Sequence, residues 1–183
     1  MEKTQAILMG RSRISESSLL VTWCTKQFGL LRTRARGALR PASAFAGRLD
    51  LFVSAEIALS RPTRGETWTL SEVHLEQSRP GLRREYSRVL AAAYLVRVVQ
   101  GVVEPLAPVE GLYELLAKAL DYLDGHSPSP ELIRRFERRV AVDLGLVDVE
   151  ATAQGETLGR LVPHFSDSLL RERRALLEAL QRT

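Results

Sequence analysis

The chain has 183 residues, of which 45% are hydrophobic and 26% are charged, and this composition is typical of a folded protein rather than a disordered segment. Cys24 is the only cysteine, which excludes an internal disulfide and a cysteine-rich metal site. The apolar run at residues 6–9 is interrupted by Gly10 and Arg11, so we expect no signal peptide, no membrane span and a cytoplasmic location.

The first part of the chain has the pattern of β-strands. Five short runs of alternating, β-branched or aromatic residues lie at positions 6–14, 18–25, 30–38, 51–59 and 67–75. Turn-prone residues separate them, and a longer excursion at residues 40–50 divides the third run from the fourth. This layout predicts an OB-fold, a small Greek-key barrel that binds single-stranded nucleic acids or oligosaccharides, although other small barrels fit nearly as well.

A row of arginines lies on the third predicted strand. Arg32, Arg34 and Arg36 alternate with Thr33 and Ala35, and side chains two apart on a strand share one face at intervals of about 6.6 Å. This spacing is close to the phosphate repeat of an extended single strand, and guanidinium groups suit phosphate oxygens. The row therefore predicts a nucleic-acid contact, and the alternative is the solvated outer face of a half-buried sheet.

The basic residues are concentrated in the first part of the chain. Residues 1–80 contain twelve Lys and Arg against seven acids, whereas the remainder is close to neutral, and this asymmetry favours a polyanionic partner for the first part. We expect a groove that binds the nucleic-acid backbone, formed by Arg11, Arg13, Arg32, Arg34, Arg36, Arg40 and Arg48. The chain has no asparagine and no helix-turn-helix or zinc-finger pattern, so readout of base sequence is not expected.

Aromatic residues of the first part can either stack on bases or fill the core. Trp23 has the same strand parity as Val21, and Trp68 has the same parity as Leu70, so we predict that both indoles pack in the core. Phe28 lies in a predicted hairpin and is expected to be more exposed.

After Gly81 the hydrophobic period changes from two to about 3.6, which predicts helices. The apolar face of the first is expected to contain Leu82, Tyr86, Val89, Ala93 and Val96. The second helix is predicted to begin near Val109 and end at Gly125. Its apolar face is expected to contain Leu112, Leu116, Ala119 and Leu123. Ser129 is predicted to cap a third helix that ends near Leu144, and a last helix runs from about Asp167. The predicted class is α+β, with an OB-fold domain at 1–80 and a helical domain at 81–183.

Short motifs along both parts resemble the bacterial RecO family of recombination mediators. In the first part these are ESSLLVT at 16–22, TKQFGLL at 25–31, ARGALR at 35–40 and FAGRL at 45–49. In the second part they are AYL at 93–95, LYELL at 112–116, FERR at 136–139 and LGL at 144–146. Their order and spacing match over residues 5–147.

The resemblance implies a non-enzymatic, nucleoid-associated protein of DNA repair and homologous recombination. RecO proteins bind single- and double-stranded DNA, anneal complementary strands, bind the acidic tail of the single-strand-binding protein SSB, and act with RecR to load RecA. A RecO-like adaptor that binds partners through its helical domain without annealing is the alternative. Many members carry a four-cysteine zinc module after the position of Leu146, but residues 147–163 contain no cysteine, so we expect neither zinc nor any other cofactor.

A second basic cluster lies in the third helix. At helical spacing, Leu132 and Phe136 are expected to supply apolar surface beside four arginines. The predicted site for the SSB tail, which ends in a hydrophobic residue and a carboxylate, comprises Leu132, Arg134, Arg135, Phe136, Arg138 and Arg139. The alternative is a solvated face paired with Glu131 and Glu137.

Catalysis is not expected from the histidines. His74, His126 and His164 are scattered, and no nucleophile elbow, P-loop or metal-ligand pair accompanies them.

Overall fold

A computed structural model of the protein describes residues 1–148 and 159–182. It divides into two compact units, one containing residues 1–78 and 104–108 and the other containing residues 79–103 and 109 onward. We call them the barrel unit and the helical unit.

The barrel unit is a closed five-stranded barrel with the strand order β1-β2-β3-β5-β4. Its strands are β1 (Glu2–Arg13), β2 (Leu19–Thr25), β3 (Gly29–Ala35), β4 (Ser54–Ser60) and β5 (Trp68–Gln77). All neighbouring pairs are antiparallel except β3 and β5, which are parallel. The predicted barrel followed by helices is confirmed, with β1 beginning earlier and β3 ending earlier than the sequence pattern indicated.

Both tryptophans lie in the barrel core, as their strand parity predicted. Trp23 is fully buried, and its indole N–H donates to the Thr33 hydroxyl at 2.8 Å. Trp68 is also buried, and the ring of Phe28 lies 5.3 Å from it, centroid to centroid. Phe28 is therefore half-buried against the core and, as predicted, more exposed than either tryptophan. The tight hairpin between β2 and β3 folds this ring back over Trp68.

A strap formed by residues 104–108 completes the barrel unit beside β3. The parallel pairing of β3 with β5 covers only Thr33 and Arg34, so none of the described strands pairs with the start of β3 on that side. The strap lies there, and the Leu106 N–H donates to the Leu30 carbonyl at 2.7 Å. Gly29 has a φ of 65°, and a Cβ at this position would lie 2.4 Å from the Ala107 carbonyl oxygen. A glycine is therefore required where the strap crosses.

The helical unit contains α1 (Tyr86–Val102), α2 (Leu112–Gly125), α3 (Pro130–Asp143) and α4 (Asp167–Gln181). Short 3-10 turns at Pro80–Arg84 and Val162–His164 precede α1 and α4. The predicted core positions of α2 are buried, and the Ser129 hydroxyl caps α3 by accepting from the Leu132 N–H at 3.2 Å. None of the described helices is both long and apolar enough to cross a membrane.

The predicted apolar face of α1 is partly wrong. Leu82 belongs to the preceding 3-10 turn, and Tyr86, the first residue of the helix, is 77% exposed. The helix packs against α2, α3 and α4, so apolar residues are buried around most of its circumference and a single stripe does not describe it. Its buried residues are Ala91, Ala92, Tyr94, Leu95, Val96, Val98 and Val99.

Two buried polar side chains and one half-buried arginine join α1, α3 and α4. The Tyr94 hydroxyl donates to Glu137 Oε1 at 2.5 Å, and the Arg173 guanidinium contacts both oxygens of the same carboxylate at 2.7 and 2.9 Å. Burial, together with the neighbouring Glu137 carboxylate, raises the pKa of Tyr94 well above its usual value. The hydrogen bonds to Glu137 raise the pKa of Arg173. The network therefore holds a carboxylate that is fully paired inside the unit.

Candidate nucleic-acid interface

The arginine row of β3 faces outward from the barrel. Arg32 and Arg34 are exposed, whereas Thr33 and Ala35, between and after them, are buried. Arg36 is also exposed, but it follows the last residue of β3 and belongs to the next turn. The strand therefore presents two guanidinium groups on one face, and the turn continues the row with the third.

Arg11 and Arg13 do not lie on this face, contrary to the predicted single groove. In the β1–β2 register, Arg11 is opposite the core residue Val21, whereas on β3 Arg34 is opposite the outward-facing Leu20. The cause is a β-bulge between Leu8 and Gly10 of β1, because one extra residue inverts the alternation of the positions that follow it.

Three of the predicted arginines contact the protein's own backbone. Arg11 donates to the Leu49 carbonyl, and Arg48 donates to the Val73 carbonyl at 3.0 Å. Arg13 donates to two carbonyl oxygens of the turn that follows β1, each at 3.0 Å. These contacts fix the ends of the loops around the barrel, so the three guanidinium groups are already partly occupied.

The other four predicted arginines are unoccupied. Within residues 1–148 and 159–182, no hydrogen bond or ion pair joins the guanidinium group of Arg32, Arg34, Arg36 or Arg40 to another protein group. Exposed arginines that are not paired within the protein keep their full donor capacity for an external anion. These four residues therefore differ from Arg11, Arg13 and Arg48, whose guanidinium groups contact backbone carbonyls. The sequence does not show this distinction.

A cavity of about 390 Å³ brings three of these arginines together. Arg34, Arg36 and Arg40 line it, and the turn between β1 and β2 contributes Ser15, Ser17 and Ser18. A hydrogen bond of 3.0 Å from the Leu39 N–H to the Ser17 carbonyl joins this turn to the turn after β3. Sequence analysis predicted the arginines but not the serines, whose only signal was a turn-prone segment. We call this the arginine–serine cavity.

The predicted tail site on α3 does not have the expected surface. Phe136 is 3% exposed, because it lies on the inward face of α3, so it cannot supply apolar surface to a partner. Arg135 pairs with Glu131 at 2.9 Å, and Arg139 pairs with Asp143 at 2.8 Å. Most of this cluster therefore resembles the solvated, paired face that was the alternative. Glu137, which the alternative pairs with the cluster, lies instead in the buried network.

A different cavity in the helical unit combines apolar and basic side chains. It has a volume of about 340 Å³ and lies beside α4. Val162, Leu170 and Leu177 supply its apolar surface, and Arg174 is exposed at the same site. Its remaining lining residues are Arg173, Glu178 and Gln181. Nothing in the sequence periodicity distinguished this side of α4 from an ordinary amphipathic helix.

Comparison with known proteins relates both units to one family. Residues 1–79 match the family model described as recombination protein O N terminal, and residues 83–147 match the one described as recombination protein O C terminal.

Curated relatives with the name DNA repair protein RecO support the same assignment. The protein of Syntrophus aciditrophicus is 31% identical over 75% of this chain and 53% of its own length. The Geobacter metallireducens protein is 31% identical over 85% of this chain and 67% of its own length. The Gloeobacter violaceus protein is 34% identical over 73% of this chain and 50% of its own length. The chain thus spans between half and two thirds of the length of these relatives. On these matches, and with a five-stranded barrel followed by helices, the chain belongs to the RecO family.

Proposed function

We propose that the protein binds single- and double-stranded DNA without sequence preference and acts in DNA repair and homologous recombination. In this role it anneals complementary strands and, together with RecR, supports RecA loading on SSB-coated DNA. The observation that carries the proposal is a group of four exposed arginines on β3 and the following turn whose side chains have no partner among the described residues: Arg32, Arg34, Arg36 and Arg40.

Phosphate contacts supply most of the affinity in this proposal. Side chains two apart on β3 are separated by about 6.6 Å, so Arg32 and Arg34 can each meet one phosphate of an extended strand. Base stacking on tryptophan does not contribute, because Trp23 and Trp68 are buried in the barrel core. Binding is therefore expected to be strongly dependent on salt and nearly independent of base sequence.

The test is a salt titration of single-stranded DNA binding. Changing Arg32, Arg34 and Arg36 to Gln removes three phosphate contacts, and at about 0.7 per contact the slope of log affinity against log salt should shrink by about 2. The matched control changes Arg11, Arg13 and Arg48 to Gln, which removes the same formal charge from groups that are already occupied by backbone carbonyls.

The control variant should retain most of the slope of log affinity against log salt. Circular dichroism should show that both variants are folded. An unchanged slope in the first variant, or equal reductions in the two, would assign the arginine row to the solvated surface.

The SSB tail is proposed as the partner of the helical unit, at the α4 cavity rather than at the α3 cluster. The supporting observation is an apolar depression formed by Leu170, Leu177 and Val162 with Arg174 beside it. A hydrophobic side chain can enter the depression while Arg174 contacts the carboxylates of the acidic tail.

Peptide binding tests this location. A peptide with the acidic SSB C-terminus should bind the full chain, and removal of its last hydrophobic residue should weaken binding at least tenfold, the effect of losing about 1.4 kcal/mol. Arg174→Gln should weaken binding, whereas Arg135→Gln on α3 serves as the control and should not. Equal binding of the two peptides would reduce the interaction to nonspecific charge attraction.

An adaptor that contacts proteins without annealing DNA remains the second candidate function, since the α4 cavity supports a protein partner independently of the arginine row. Annealing of complementary oligonucleotides separates the two: a mediator accelerates annealing and loses this effect when Arg32, Arg34 and Arg36 are changed. Neither function requires a catalytic step. In the structure His74 contacts Glu72 at 3.2 Å and His126 stacks on Tyr122, so these two histidines do not share a site.

A further inference from the structure

The arginine–serine cavity concentrates more positive charge than an internal phosphodiester requires. Arg34, Arg36 and Arg40 line it together, whereas Arg32, the preceding member of the row, lies outside it. We propose that this cavity binds the terminal phosphomonoester at the end of a DNA strand. The inference rests on the proposed DNA-binding function and adds to it a subsite for strand ends.

Charge is the first argument. An internal phosphodiester carries one negative charge and two free oxygens, whereas a terminal phosphomonoester carries a charge of about −1.5 to −2 and three acceptor oxygens. The three guanidinium groups of the cavity have no carboxylate partner among the residues that the structure describes. Several charge-assisted hydrogen bonds to one phosphate are therefore possible at this point, and the dianion gains more from them than the monoanion does.

The hydroxyl groups are the second argument. Ser15, Ser17 and Ser18 line the same cavity as the arginines. The Ser15 hydroxyl accepts from the Ser18 N–H at 3.1 Å and can still donate its own proton. Glu16, the carboxylate of the same turn, is not among the lining residues. The cavity therefore combines hydroxyl and guanidinium donors, which matches a phosphate with three free oxygens.

The shape of the site is the third argument. Arg32 and Arg34 form a row along β3, and the row then meets two turns that the Leu39–Ser17 hydrogen bond holds together. A strand that follows the row reaches the serine-bearing turn, so the cavity is suited to receive the last phosphate of the strand.

The experiment compares three short oligonucleotides of one sequence, about eight nucleotides long, which is within the range that one OB-fold covers. One carries a 5′-phosphate, one carries a 3′-phosphate, and one ends in hydroxyls on both sides. A hydroxyl-ended oligonucleotide two nucleotides longer controls for total charge. We expect one phosphorylated form to bind the full chain about tenfold more tightly than either hydroxyl-ended form, the gain from about one additional charge-assisted hydrogen bond. The identity of that form assigns the cavity to the 5′ or the 3′ end.

Two variants locate the effect. Arg36→Gln with Arg40→Gln should abolish the preference for the phosphorylated end, while Arg32→Gln should lower the affinity for every oligonucleotide and retain the preference. Equal affinity for all ends, with DNA binding intact, would overturn this inference and leave the proposed function standing. A preference that persists in the Arg36 and Arg40 variant would also overturn it. Loss of binding to every oligonucleotide would instead overturn the proposed function, and the inference with it.

Discussion

Arginines of the barrel unit differ in what they contact rather than in exposure. Arg34 and Arg48 are both exposed, yet the Arg48 guanidinium donates to the Val73 carbonyl while the Arg34 guanidinium has no partner in the described part of the chain. An arginine that holds a loop carbonyl must break that bond to meet a phosphate, whereas an unpaired arginine does not. The candidate DNA-binding residues are thus selected by whether their guanidinium groups already contact another group of the protein.

Two glycines of the barrel unit with the same backbone conformation predict different responses to substitution. Gly29 and Gly37 have φ values of 65° and 68°. Gly37→Ala should cost about 1 kcal/mol, because its Cβ meets only the flexible Arg40 side chain, at 3.5 Å. Gly29→Ala should cost clearly more, because its Cβ would lie 2.4 Å from the Ala107 carbonyl oxygen of the strap.

Urea denaturation of the two variants measures the difference. Equal free energies of unfolding would show that the strap does not press on Gly29 and that only the left-handed backbone matters.

At the scale of elements, α1 is the central helix of its unit. It packs against α2, α3 and α4, and the network of Tyr94, Glu137 and Arg173 joins α1, α3 and α4. The carboxylate of Glu137 is buried, so its charge depends on Arg173 for compensation.

Removal of Arg173 should therefore be strongly destabilising. Arg173→Ala leaves the Glu137 carboxylate buried without its cation, and the expected cost is about 3 to 5 kcal/mol in the free energy of unfolding. Arg171→Ala, on the exposed side of α4, is the control and should change stability by no more than about 0.5 kcal/mol. The measurement is denaturant unfolding, and similar losses in both variants would mean that the network contributes no more than a surface arginine.

At the scale of the whole molecule, different strands of the barrel carry surface charges of opposite sign. The outward face of β3 and its following turn carry arginines whose side chains are unpaired within the described part of the chain, whereas the exposed residues of β5 include Glu72 and Glu76. A DNA strand is attracted to the first face and repelled by the second, so the barrel is expected to bind it in one orientation.

Folding without a metal is the prediction that concerns the whole chain. Among the residues that the structure describes, no group of three or more His, Cys, Asp and Glu side chains is placed to hold a metal ion. We expect that a strong chelator leaves the thermal unfolding midpoint and the DNA affinity of the purified protein unchanged. Stoichiometric zinc in the protein, or unfolding by the chelator, would contradict this expectation.

Much of the architecture was predictable from local patterns. The five strands, the α2 core positions, the Ser129 cap and the burial of Trp23 and Trp68 follow from the alternation of side chains on strands, the helical period and capping chemistry, which act over a few neighbouring residues. The same alternation predicted the outward position of Arg32 and Arg34 on β3.

The composition of the candidate site depended on tertiary structure. The bulge in β1 placed Arg11 on the other face, and the bond between Leu39 and Ser17 brought the serines to the arginines. Burial of Phe136 against the other helices removed it from the predicted tail site. The sequence by itself determined which side chains can face outward, because the periodicity of a strand or helix depends only on neighbouring residues. Tertiary structure decided which of these side chains have no partner in the described part of the chain and which lie next to one another, because such contacts join residues that are far apart in the chain.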